Sequence, residues 1–182
     1  MGKPTTHPPA LLIVAAFSRY RAALAWARDR AVDAWGSVAI ESPVFSFTQT
    51  DYYTATMGPD LQKTFFVFTR PFDPADLANI KLKTNRWEEQ YAALADVPEE
   101  RPLNLDPGYL TPAKLVLAST KDHSHRIYVG RGIYAEVTLY YKNRCWQSRE
   151  WTYADYRRPD YQQFFSQCRE LIRRRQRKEA TT

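Results

Sequence analysis

The hydrophobic positions change period along the chain, and each change predicts an element. Leu11–Phe17 is continuously apolar, the pattern of a strand buried on both faces at the centre of a sheet. Ser18 is an N-cap candidate for a helix to about Trp35, with Tyr20, Leu24, Ala27, Ala31 and Trp35 on one face and Gly36 at the C′ position. Val38–Thr48 reads as a strand broken by Pro43, hence an edge or bulged strand. Asp51–Asp60 reads as a loop ending in Gly58-Pro59, followed by a strand over Leu61–Thr69. A second helix has the clearest signature: Asp73 as cap, Pro74 at its first position, then Leu77, Ile80, Thr84, Trp87, Tyr91 and Leu94 at three- and four-residue steps.

A short strand at Arg101–Leu105 then completes a ferredoxin-like βαββαβ order. Lys114–Ser119, Arg126–Val129, Ile133–Tyr141 and Arg144–Gln147 follow as a meander joined by Gly130-Arg131-Gly132 and Lys142-Asn143. In the third of these strands Ile133, Ala135, Val137, Leu139 and Tyr141 alternate with Tyr134, Glu136, Thr138 and Tyr140. Pro159 opens a last helix with Tyr161, Phe164, Phe165, Cys168, Leu171 and Ile172 on its apolar face. The expected fold is α+β, a ferredoxin-like βαββαβ core extended by an antiparallel β-meander and a C-terminal helix. Residues 1–9 read as a disordered N-terminal tail, 10–172 as one domain and 173–182 as a basic C-terminal tail.

Composition agrees with one domain of 182 residues, 44% of them hydrophobic and 14% aromatic. The net charge of +6 is unevenly placed. Six Arg/Lys against two Glu after position 168 give the end of the chain +4, leaving +2 for the rest. Two cysteines without a CxxC pair argue against a disulfide framework and fit a reducing, cytoplasmic setting. Ala10–Phe17 followed by Ala23-Leu24-Ala25 superficially resembles an export signal, but Ser18-Arg19-Tyr20-Arg21 interrupts it and favours a buried first strand. No apolar run reaches the length of a membrane span.

The motif search excludes more than it finds. Gly58–Thr64 lacks the second glycine of a phosphate-binding loop and runs into a strand, and Thr120-Lys121-Asp122 lacks the spacer of a guanine-reading box. His123 and His125 with Asp122 fall short of the ligands zinc needs, so no metal site is expected, and the cofactor is left unknown. No HExxH or GxSxG motif occurs.

The candidate chemistry lies in Arg101–Thr138. Asn104 and Asp106 share one strand face, and Glu136 and Thr138 share another, with Lys121, His125 and Arg126 at the rim. Carboxylates near a histidine and a lysine are the raw material of acid–base work. The reading assigns Asp106 or Glu136 as base with His125, and Lys121 and Arg126 to an anionic group. Asn85, Asn104 and Tyr109 position the ligand, an anionic small molecule or nucleotide, with catalysis left open. A solvent-facing sheet surface is the plain alternative. Pro107-Gly108 reads as a turn. An alternative of another class is a nucleic-acid-binding or adaptor protein using Arg173-Arg174-Arg175, Arg177 and Lys178.

Several strings carry a resemblance: Asp51-Tyr52-Tyr53 with Met57-Gly58, Lys81–Asn85, Arg101–Leu110, Lys114–Asp122, Arg126–Thr138 and Trp151–Tyr156. Together they resemble the bacterial domain-of-unknown-function family 4416, from Leu11 to about Leu171. The resemblance implies a single cytoplasmic domain and brings no catalytic residues with it.

Overall fold

The computed structural model describes residues 2, 3, 7 and 10–179, so most of the expected N-terminal tail lies outside the described residues. The protein is α+β, with helices packed on a nine-stranded sheet whose pairings are antiparallel. Its elements in chain order are β1 (Ala10–Ser18), α1 (Arg21–Trp35), β2 (Val38–Glu41), β3 (Phe45–Ser46), α2 (Thr54–Met57) and β4 (Gln62–Phe72). Then come α3 (Leu77–Leu94), β5 (Asn104–Leu110), β6 (Lys114–Ser119), β7 (Ile127–Gly130), β8 (Ile133–Lys142), β9 (Cys145–Ser148) and α4 (Pro159–Glu179). The sheet order is β2-β4-β1-β5-β6-β8-β7, with β3 on β4 and β9 on β8.

β1 is central and buried throughout, which is why its sequence shows no polar alternation. Its even residues Leu12, Val14 and Ala16 pack with Ala23, Leu24 and Ala27 of α1 and Trp87 of α3. Its odd residues Leu11, Ile13 and Ala15 pack on the other face with Tyr161, Phe164, Phe165 and Cys168 of α4. Hence the sheet is sandwiched between α1 and α3 on one side and α4 on the other.

Caps and turns explain several boundaries. Asp73 accepts from the Ala75 N–H at 2.9 Å, and Pro74 opens a 3₁₀ turn leading into α3. Gly36 takes φ +87° after α1 and donates its N–H to the Val32 carbonyl. Ser18, expected as a helix cap, instead ends β1; Tyr20 is the cap residue, and the Ser18 hydroxyl donates to the Pro102 carbonyl at 2.5 Å. Pro43 divides the expected strand at Val38–Thr48 into β2 and β3, both paired to β4. The expected loop at Asp51–Asp60 contains the single turn α2. Arg173–Lys178 continue α4 rather than leaving it.

Two corrections bear on the site. The strand expected at Arg101–Leu105 runs from Asn104 to Leu110, so Pro107-Gly108 is mid-strand and not a turn. On β8 the alternation breaks at a bulge: Leu115 faces Leu139, whereas Val116 faces Val137. Leu139 therefore joins the α4-side core while Ile133, Ala135 and Val137 pack toward α3.

Candidate functional site

The site begins where the sheet forks. β5 pairs with β1 along its whole length, Asn104 to Leu110, but with β6 only from Gly108 to Leu110. Closure at the junction requires glycine, because a Cβ on Gly108 would stand 2.2 Å from the Val116 carbonyl oxygen. Beyond it β6 continues with β8, leaving the outer edge of residues 104–107 without a partner strand. Pro107 is tolerated there because alternate residues share an edge. Leu105 directs its N–H away from β1, so the N–H that Pro107 lacks would have met no strand.

Helix α3 supplies what the missing strand does not. Glu88 Oε1 accepts from the Leu105 N–H at 2.8 Å, and Lys81 Nζ donates to the Leu105 carbonyl at 2.8 Å. Buried backbone groups need such partners, and here two charged side chains provide them. Lys81 Nζ also stands 3.5 Å from Asp106 Oδ1 and 4.0 Å from Glu88 Oε1. Burial pushes the Glu88 carboxyl up to about 7; the Lys81 charge and the Leu105 N–H pull it down, and the Asp106 charge adds to the rise.

The fork opens a cavity of about 900 Å³, within the range of small-molecule sites. Asp106 and Glu136 lie on the same sheet face: Asp106 is paired with Ala15 and Glu136 with Leu117, and both partners belong to the α4-side core. Both carboxylates line the cavity, as do Asn85, Asn104, Lys121 and Arg126. Eight of the described positions in this wall, Lys63, Lys81, Glu88, Arg101, Asp106, Arg126, Glu136 and Asp155, carry formal charge on buried or half-buried residues, so the face is no ordinary solvated sheet surface.

Each predicted residue has a definite place. Arg126 Nε donates to Glu136 Oε2 at 2.8 Å, Nη1 to Ser119 Oγ and the Lys121 carbonyl at 2.8 Å, and Nη2 to Tyr153 Oη at 2.7 Å. With all three nitrogens engaged, Arg126 braces the wall. Glu136 is buried, also accepting from Thr138 Oγ1 at 3.2 Å. His125 Nε2 lies 3.2 Å from Glu136 Oε2, but His125 does not line the cavity; its ring is stacked between His123 and Trp151. Lys121 Nζ donates to Tyr52 Oη at 2.8 Å near the exposed rim. Tyr109 also stands outside the cavity, and unlike His125 it contacts none of the wall's charged groups. It sits opposite Val116 and packs with the α3-side cluster, since β5 side chains alternate and Gly108 takes the cavity face.

Sequence reading missed the deeper half. Lys63 Nζ donates to Asp155 Oδ2 at 2.7 Å, both side chains buried, with the rings of Phe17, Phe47, Phe65 and Tyr156 within 4.6–5.7 Å. The signal was present, because Lys63 shares the inward face of β4 with Phe65 and Val67. Lys81 and Glu88 extend the expected Asn85 into a polar stripe at four- and three-residue steps along α3. Arg101 Nη2 donates to Asn104 Oδ1 at 2.7 Å and stands 3.9 Å from Glu88 Oε2. Tyr153, beside Arg126, is pushed up to about 12 by burial and the Glu136 charge.

Away from the cavity, Arg173 pairs with Glu170 and Arg175 Nη1 donates to the Thr69 carbonyl at 2.6 Å. Among the described residues no group of three or more His, Cys, Asp or Glu side chains is placed to hold a metal ion, and no helix is long and apolar enough to cross a membrane.

No curated protein and no solved structure matches the chain. A family model described as "Domain of unknown function (DUF4416)" matches residues 8–171, and the chain belongs to that family.

Proposed function

We propose that the fork cavity binds a small polar molecule, anionic or nucleotide-like, and that Glu88, Lys81 and Asp106 perform acid–base chemistry on it. The observation that carries this reading is the open edge of β5, where a lysine and a glutamate from α3 stand in for a strand beside a second carboxylate. Charged groups are expensive substitutes for a backbone ladder, and a fold that needed only stability would be served better by pairing. Lys121 and Arg101, both at the wall and with N–H groups beyond those engaged, are suited to the anionic part of the ligand.

The supporting frame is consistent with a ferredoxin-like core. β1, α1, β2, β4, α3 and β5 follow in βαββαβ order with the strands arranged β2-β4-β1-β5, and β6–β9 add the meander. Cys145 is exposed and Cys168 buried, without a disulfide among the described residues, which supports a reducing cytoplasmic setting. The nucleic-acid alternative draws less support, since Arg173 and Arg175 are turned to partners within the protein.

A thermal-shift screen against nucleotides, sugar phosphates and small carboxylates tests the site, because a ligand present at about 100 times its Kd adds roughly 2.7 kcal/mol to stability. At least one compound is expected to raise the melting temperature of the wild type and not of Ala92→Trp, which places an indole in the cavity wall. A screen with no such compound, or an equal response in the two proteins, contradicts the reading.

A further inference from the structure

Asn104 carries information about the ligand that its neighbours do not. Its side chain is buried at 5% exposure, and its two amide atoms are assigned by chemistry: Arg101 can only donate, so the atom facing Arg101 Nη2 at 2.7 Å is the oxygen Oδ1. Nδ2, a pure donor, is then left buried and without a partner, on a residue that lines the cavity. Tyr156 Oη is a second buried atom without a partner on a residue that lines the same cavity. Buried donors in this state call for an acceptor.

The acid–base group stands beside this seat. The Nη2 atom that holds Asn104 Oδ1 at 2.7 Å lies 3.9 Å from Glu88 Oε2, and the backbone N–H next to Asn104, that of Leu105, is bonded to Glu88 Oε1. One carboxyl and one unpartnered N–H therefore flank the same few ångströms, with the Lys81 ammonium close by. That spacing suits two adjacent atoms of one substrate, a carbon that gives up a proton and the carbonyl whose oxygen gathers the charge.

Resting on the small-molecule reading above, we propose that the cavity takes a carbonyl compound bearing a hydrogen on the adjacent carbon. Glu88 exchanges that proton, and Asn104 Nδ2 holds the oxygen. The Glu88 carboxylate removes the proton, the C–H electron pair becomes the carbon–carbon double bond, and the carbonyl π pair moves onto oxygen. The enolate oxygen accepts from Asn104 Nδ2, while Lys81 offsets the new negative charge. Glu88, now a carboxylic acid, exchanges its proton with solvent and returns one to the same carbon; the carbon–carbon double-bond pair takes that proton and the oxygen pair re-forms the carbonyl. No oxidant, reductant or second substrate is needed. A carboxyl pushed up toward neutrality suits a group that takes and returns a proton in one cycle.

Proton NMR of the full chain in D₂O tests this with pyruvate, phenylpyruvate and dihydroxyacetone phosphate as probes. At least one probe is expected to lose its α-proton signal on the order of 100-fold faster with wild type than with Glu88→Gln. Asn104→Asp keeps the oxygen that Arg101 needs and removes the donor, so it should lose exchange by a similar factor with little change in melting temperature. Should Asn104→Asp fail to fold, Asn104→Ser, which shortens the side chain and withdraws the amide donor, takes its place, and loss of exchange in that folded variant supports the assignment. Absence of exchange in wild type, or exchange undiminished in the folded donor variants, overturns the inference. If these probes raise the melting temperature without exchanging, the binding site stands and only the carbonyl chemistry falls.

Discussion

β5 contains two regions that differ in one respect. Residues 108–110 are bonded to strands on both sides, and residues 104–107 to a strand on one side only. In the closed half the neighbours are Leu115, Val116 and Leu117, which bury hydrocarbon against hydrocarbon. In the open half they are Lys81, Glu88 and Arg101, which engage Asn104, Leu105 and Asp106 by ion pairs and hydrogen bonds. The same helix serves both designs: Trp87 faces the core beside Trp35, and the next residue, Glu88, faces the fork. Where this ladder is interrupted, its unmet donors and acceptors are met by charged side chains from α3, and a cavity opens beside them.

The largest expected effect is on the closed side. Trp87→Ala removes a buried indole and should lower stability by roughly 3–5 kcal/mol in denaturant unfolding. A loss below about 1 kcal/mol would mean that the α3 core is not packed as described.

A smaller effect, with a sign of its own, belongs to Glu88. Its folded carboxyl is raised from 4.5 to about 7, so between those values the folded state holds a proton that the unfolded chain has released. That contribution is full below about pH 4.5, falls as pH rises through 7 and is absent above it. At about 1.4 kcal/mol per pH unit the span is on the order of 3 kcal/mol. Glu88→Gln should flatten this slope in chemical denaturation followed from pH 4 to 8. An unchanged slope would assign the pH dependence to other groups.

Asp106→Asn should have the smallest effect on folding and a large one on ligand response. Asp106 is half-buried, and its 3.5 Å contact with Lys81 is one of three that Lys81 makes. Stability should stay within about 1 kcal/mol of wild type while the thermal shift from a cavity ligand disappears. Loss of both in proportion would make Asp106 an architectural residue.

Much of this design was legible in the sequence, for identifiable reasons. The cap at Asp73-Pro74, the apolar β1 and the stripes of α3 and α4 are local signals that the structure repeats. Asn104, Asp106 and Glu136 are legible as polar positions on expected strands, with Lys121 and Arg126 at their rim and Asn85 on the second helix, and the fold brings all six to one cavity. What escaped was non-local. Pro107-Gly108 has the composition of a turn, and only the absence of a strand beside Pro107 and the 2.2 Å approach at Gly108 make it strand. Leu139 was put on the wrong face because a bulge leaves no mark in an alternating run. Tyr109 lies three residues from Asp106, and strand alternation sends it across the sheet to the α3-side cluster. Lys63 and Asp155 stand 92 residues apart, and no spacing rule joins them.

On the function proposed above, the open edge of β5 holds a carboxyl poised for proton transfer. A ¹³C NMR titration of the Glu88 side chain in the intact protein measures this directly. A midpoint near pH 7 is expected, returning toward the exposed-glutamate range when the protein is unfolded in denaturant. A midpoint near 4.5 in the folded protein would contradict it.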